Sequence, residues 1–428
     1  MANEWPQKPL GSLATNFDAR RVPLSSRERE KRRGCYPYFG ATGVMDNVDD
    51  FLFEGLHLLV AEDGSVETDD GKPFLQLVDG KFWVNNHAHV LRGVTDADTR
   101  FLYYALSTIA IRPFMSGSVQ AKLSQANLNK IPVPYPPMEK IRVAIAHILG
   151  TLDDKVALNR RMNETLEGIA RALFKSWFVN FDPVRAKAEG RDPSLPKEIA
   201  DLFPDSFEDS ELGEIPKGWG GGTLGMLGEL AIGGDWGEDE AFAGAVEASC
   251  LRGVDLEHLR QSGHASAPRR WFKPSSLERR AMDDRDVLVA GSGAGPTGRP
   301  LWMCDDLLQA LGPCVYSNFC KRIRCGTAAK AVYLDAWLHG MRASGEIWEH
   351  VNGTSVPNLD ANSLLAGKEI PLPPVPVLDR YHDFVRPIWQ ELYAGQNRTL
   401  AALRDALLPK LISGELRVKD TERILEIV

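Results

Sequence analysis

The chain has 428 residues, 43% hydrophobic and 25% charged, with a formal net charge of −8. That length allows two or three domains with substantial cores, and the balance is ordinary for a soluble globular protein. No apolar run approaches the ~20 residues of a membrane helix. The start, Met1-Ala2-Asn3-Glu4-Trp5-Pro6, lacks the basic and apolar regions of a signal peptide, so a cytoplasmic location is expected. Six cysteines, four of them between 304 and 325, form no C-x-x-C pair, which indicates neither a metal site nor a disulfide framework.

A negative total argues against nucleic-acid binding, because phosphate contacts need Lys and Arg, but distribution matters more than the sum. Taken in chain order, residues 1–137 read as a mixed α/β globule. It opens on a basic segment holding Arg20, Arg21, Arg27, Arg29, Lys31, Arg32 and Arg33. The run His57-Leu58-Leu59-Val60-Ala61 reads as a strand, and residues 100–107 as a short helix. From 138 to 180, apolar residues recur every three or four positions through Ile141, Ile145, Ile148, Leu152, Val156, Leu166, Leu173 and Trp177. A helix from 138 to 178 would be ~60 Å long, which fits a coiled-coil spacer. Residues 181–217, rich in proline and acids, read as a linker. A second globule spans 218–375, with a strand at Asp286-Val287-Leu288-Val289-Ala290, a helix near 331–339, and basic stretches at Arg269, Arg270, Lys273 and at Lys321-Arg322-Ile323-Arg324. Residues 376–428 hold a second long helix and a tail, with a kink or break expected at Pro387 and Gly395.

The two halves repeat. Trp5, Leu10, Gly11 and Leu13 recur as Trp219, Leu224, Gly225 and Leu227. Leu59-Val60-Ala61 recurs as Leu288-Val289-Ala290, and Asn86 with Arg92 as Asn318 with Arg324. Ile131-Pro132-Val133-Pro134 recurs as Ile370-Pro371-Leu372-Pro373, and Asn163-x-Thr165-Leu166 as Asn397-x-Thr399-Leu400. Matches that keep their order in this way mark an internal duplication.

No enzyme constellation is present. Gly293 to Gly298 has phosphate-loop spacing, but Arg299-Pro300 stands where Lys and Ser or Thr are required. His87-x-His89 has no third metal ligand nearby in sequence. No catalytic residue and no metal site is therefore assigned.

The run Leu123-x4-Leu128-x2-Ile131-Pro132-Val133-Pro134 before a long helix resembles the type I restriction–modification specificity subunit, as do Ser210-Glu211-Leu212-Gly213-Glu214-Ile215-Pro216-Lys217-Gly218-Trp219 and the tail Asn397 to Leu416. The resemblance covers nearly the whole chain. It implies an α+β fold with two similar target-recognition domains, separated by two long antiparallel coiled-coil helices and related by a pseudo-twofold repeat. Each domain would read one half of a bipartite site in double-stranded DNA and so direct adenine methylation or restriction by partner subunits. The implied partners are two copies of a methyltransferase subunit and a restriction subunit with motor and nuclease activity. S-adenosylmethionine, ATP and magnesium would belong to those partners, with no cofactor in this chain. The alternative is a coiled-coil adaptor without DNA contact.

Candidate DNA contacts follow from two arguments: glycine loops let backbone approach DNA, and Arg suits guanine and phosphate. In the first half these are Arg20, Arg21, Arg32, Arg33, Gly64, Ser65, Gly117, Ser118 and Lys122; in the second, Arg269, Arg270, Lys273, Ser292, Gly293 and Arg299. Phe174, Trp177 and Phe178, large apolar residues at one helix end, are the candidate partner contacts.

Overall fold

A computed structural model describes residues 5–117, 121–262, 265–293, 295–353, 355–393 and 396–418. The chain divides into two units, Met1–Val156 with Leu400–Val428, and Ala157–Thr399.

In the first unit the run His57–Ala61 is a strand with all five residues buried. Alternation along the strand sends Leu58 and Val60 to one apolar cluster and Leu59 to another, so an unbroken apolar run is what a strand covered on both faces requires. It is central in an antiparallel sheet ordered Ala14–Asn16, Ala88–Gly93, His57–Ala61, Leu75–Val78. A second sheet is ordered Val44–Val48, Arg33–Phe39, Lys81–Val84, Phe53–Glu54, with Arg33–Phe39 parallel to Lys81–Val84. The helix Asp96–Leu106 begins where the Thr95 side chain accepts from the Asp98 N–H, and it buries Phe101, Leu102 and Ala105.

The second unit repeats this plan. Its main sheet is ordered Gly228–Leu230, Cys320–Cys325, Asp286–Ala290, Pro300–Trp302. Val246–Leu251 pairs parallel with Cys314–Tyr316 and antiparallel with Arg269–Phe272. Thr327 caps the helix Ala328–Ser344 as Thr95 caps its counterpart. The ribbon Gln7–Pro9 with Pro132–Pro134 has its equivalent in Gly220–Thr223 with Glu369–Leu372. The duplication read from the sequence is thus a duplication of sheet order and strand direction. Cys304, Cys320 and Cys325 are core residues, and burial pushes their thiols up to about 12.

The first long helix runs Glu139–Phe174, about 54 Å by its rise, and closes in a π-turn at Lys175–Val179. The second stretch is helical over Val375–Tyr393 and over Gln396–Ser413. Pro387 lies inside the first of these without ending it, and Gly395 lies outside the described residues. The helices are more than spacers. In the first unit Ile145, Leu149 and Leu152 share a core with Leu407, Leu411 and Ile412, the Arg404 guanidinium donates to Asp153 at 2.7 Å, and the Trp5 indole donates to the Leu411 carbonyl at 3.1 Å. In the second unit Ala170, Phe174, Tyr381, Val385 and Trp389 join the main core.

The 181–217 stretch differs from the expected linker. It folds as the helix Asp182–Ala188 and the hairpin Phe207–Ser210 with Gly213–Pro216, and Phe181, Val184, Ile199, Phe203 and Ile215 are buried in the second unit's core. Its proline and acid content hid apolar residues spaced too irregularly to show a period.

His339, on the helix Ala328–Ser344, has its imidazole pushed down to about 4 by burial, with the Arg260 cation adding to the effect. Below pH ~6.5 the unfolded chain takes up this proton, while the folded chain does not until pH falls to about 4. Stability is therefore fully present above pH ~6.5 and declines between pH ~6.5 and ~4, by at most about 3 kcal/mol from this group. Urea unfolding across that window is expected to show a shallower decline in His339→Gln than in the unaltered chain.

Candidate nucleic-acid interface

The basic segment of the first unit is built around a short helix, Ser26–Lys31, started by a capping box in which Ser25 and Glu28 satisfy each other's backbone N–H groups. Several of its arginines hold the fold. Arg20 donates to the Leu52 carbonyl at 2.6 Å and lies over the Phe53 ring. Arg21 reaches Glu62 and the Ala88 carbonyl, both at 2.7 Å. Arg29 pairs with Asp46 and covers Tyr38. Arg32 pairs with Asp49 at 2.9 Å and stacks on Trp83. Arg33, by contrast, is exposed at the start of its strand and has no ion-pair partner among the described residues. Arg27 and Lys31 are likewise exposed, and four-residue spacing puts them on one helix face. Both belong to the basic segment read from sequence but not to its candidate DNA contacts; the capping-box pattern Ser25-x-x-Glu28 is the signal that places them on a helix.

The remaining first-unit candidates gather at another place, and there the surroundings are acidic. Gly64 has φ +73° with open space at its Cβ position, and Ser65 beside it is exposed. Lys122 pairs with Glu62 at 3.1 Å and bridges to Ser116 next to Gly117, which has φ +96°. Ser118 lies outside the described residues. Asp18, Glu62 and His89 lie close enough together to hold a metal ion. Both His89 ring nitrogens already face acceptors, Asp18 at 2.6 Å and the Leu123 carbonyl at 2.7 Å. Burial raises the Asp18 carboxyl, but its bond to His89, the Val90 N–H and the Arg21 charge more than offset this and hold it below its usual range. With Arg21 and Lys122 supplying positive charge, this is an ion-pair network that ties the Lys122 segment to the sheet.

In the second unit Arg269 pairs with Glu247 at 2.9 Å. Arg270, largely buried, pairs with Asp239 and lies over Trp236. Lys273 is exposed ahead of the helix Pro274–Arg279 and has no ion-pair partner among the described residues. The 291–299 loop is tightly built. The Gly293, Gly298 and Arg299 N–H groups donate to the Pro357, Ala290 and Pro296 carbonyls, so they form no phosphate cradle. Ser292 bridges to Asn358. Gly298 serves packing, since a Cβ there would meet Ile347 at 2.7 Å. Among the described residues of this loop only Gly295 near the tip is exposed and open, and the Arg342 guanidinium donates to its carbonyl while stacking on Trp348. Arg299 sits 3.6 Å from Glu257.

The proposed partner contacts are corrected. Phe174, Trp177 and Phe178 are 7%, 1% and 0% exposed, inside the second unit's core. A sequence pattern cannot distinguish an aromatic cluster that docks a partner from one that closes a core.

Residues 2–168 match the family model described as the type I restriction modification DNA specificity domain. A putative type I restriction enzyme specificity subunit from Haemophilus influenzae is 39% identical over 149 residues, 35% of this chain and 37% of that protein, so the match spans little more than a third of the relative. The MjaIX specificity subunit of Methanocaldococcus jannaschii is 26% identical over 331 residues, 75% of this chain and 70% of that protein. The S subunit of a type I restriction–modification system from M. genitalium shares the fold, with a TM-score of 0.60 at 15% identity over 96% of this chain and 97% of that one. No helix among the described residues is long and apolar enough to cross a membrane. Residues 2–168 thus match a type I restriction modification DNA specificity domain, and the chain is similar to type I restriction enzyme specificity subunits.

Proposed function

We propose that this chain is the non-catalytic DNA-reading subunit of a cytoplasmic type I restriction–modification complex, each unit reading one half of a bipartite target. The observation that carries the reading is the repeated sheet plan with non-identical loops: Glu62 and Asp63 in one unit stand where Gly291 and Ser292 stand in the other. Two similar readers with different loop chemistry suit an asymmetric site. Two methyltransferase subunits and a restriction subunit would act on the sequence so recognised, holding the S-adenosylmethionine, ATP and magnesium themselves.

The net charge of −8 makes the phosphate contribution of the chain alone small, so binding is expected to need the methyltransferase subunit. The test is a mobility shift on duplex DNA across a salt series, with and without that subunit. Sequence-preferring, salt-sensitive binding in its presence is the expected result. Absence of any sequence preference by the assembled complex would favour an adaptor role instead.

A further inference from the structure

We propose that one two-residue turn, present in both units, is a base-reading element, with His87 and Phe319 as its specificity-determining residues; this rests on DNA reading by the two units. The turns are Asn86-His87, entering the strand Ala88–Gly93, and Asn318-Phe319, entering Cys320–Cys325. In each, two exposed residues stand between buried ones, Asn85 and Ala88 in the first unit, Ser317 and Cys320 in the second.

The two turns are clamped by the same pair of backbone bonds. Ahead of the turn, the Asn85 N–H donates to the Phe39 carbonyl at 3.0 Å, and the Ser317 N–H to the Leu251 carbonyl at 2.8 Å. Within it, the His87 carbonyl accepts from the Glu62 N–H at 2.8 Å, and the Phe319 carbonyl from the Gly291 N–H at 2.6 Å. A Cβ at Gly291 would meet the Phe319 carbonyl oxygen at 2.8 Å, so glycine permits the closer approach in the second unit, while Glu62 makes the same bond at a slightly longer distance in the first. Each side chain therefore stands on a backbone fixed from two neighbouring segments, which is the preorganisation that base discrimination requires.

The side chains differ in chemistry where the backbones agree. Phe319 is 59% exposed, a large apolar ring that adds nothing to the core. It suits contact with a thymine methyl group or insertion at a base step. Lys321, in the strand that Phe319 leads into, packs against Gly291 beside the clamp and supplies positive charge for a phosphate there. His87 Nδ1 lies 2.5 Å from an Asp63 oxygen, and its Nε2 has no partner among the described residues. An imidazole with a neighbouring carboxylate offers polar atoms to base edges, including an acceptor for cytosine or adenine amino groups. A shared frame carrying a polar residue in one unit and an apolar one in the other is what two different half-sites call for.

The experiment uses the full chain assembled with its methyltransferase subunit. Phe319→Ala, Phe319→His, His87→Ala and His87→Phe are each used to select from a randomised duplex library, and melting temperatures are measured alongside. Phe319 variants are expected to lose about tenfold or more of the preference at bases of one half-site and leave the other half-site intact; His87 variants are expected to do the converse. Variants that melt as the unaltered chain does and keep both half-sites overturn the inference, as does uniform weakening on all sequences. An unaltered complex that selects no motif overturns the DNA-reading role itself, and the inference with it.

Discussion

Phe178→Ala is expected to destabilise the Ala157–Thr399 unit by about 3–5 kcal/mol, the cost of removing a fully enclosed aromatic ring. The Phe178 ring lies 4.8 Å from that of Tyr333, 5.1 Å from Tyr381 and 6.0 Å from Trp219, so truncation opens a cavity lined by large groups that cannot collapse into it. Neighbouring Val179 is 45% exposed, and Val179→Ala is expected to change stability by well under 1 kcal/mol. Urea unfolding of the two variants separates a core role from a docking role. If Phe178 anchored a partner instead, stability would hold while co-purification with the methyltransferase subunit fell.

The second large effect is expected at Asp335. Its carboxylate accepts from Arg260 Nη2 at 2.6 Å, and the two residues are 4% and 5% exposed. Arg260 also lies over the Trp389 ring, with Glu167 3.9 Å away. Asp335→Ala leaves a buried guanidinium without its main counter-charge and is expected to cost about 3–5 kcal/mol. The double variant Arg260→Met, Asp335→Leu is expected to recover much of that loss, because it removes both buried charges and keeps the volume. Thermal or urea unfolding of the single and double variants checks this; a double variant as unstable as the sum of the two single losses would show that the pair contributes no coupling.

Much of the architecture was legible from local patterns. His57–Ala61 and Asp286–Ala290 are recognisable because a strand buried on both faces needs an unbroken apolar run. The duplication could be seen because such strands and the proline-marked ribbons recur in order. A kink or break is expected at Pro387 and Gly395; Pro387 does not end its helix, and Gly395 lies outside the described residues. What stayed hidden depends on distant partners. Nothing near Arg32 in sequence distinguishes it from Arg33, yet Trp83 and Asp49 occupy the one and leave the other exposed. The role of Gly298 depends on Ile347, and that of Gly291 on Phe319. The aromatic end of the long helix was recognised as important, but its burial depends on Tyr333 and Tyr381, some 150 to 200 positions away.

The most direct test of DNA reading by two units is to map methylated adenines across a genome in cells carrying this chain with its methyltransferase subunit, and in cells lacking only this chain. The expected result is one asymmetric motif with two specified blocks separated by unspecified bases, methylated only when the chain is present. Methylation that persists without the chain, or a motif consisting of a single continuous block, would contradict it.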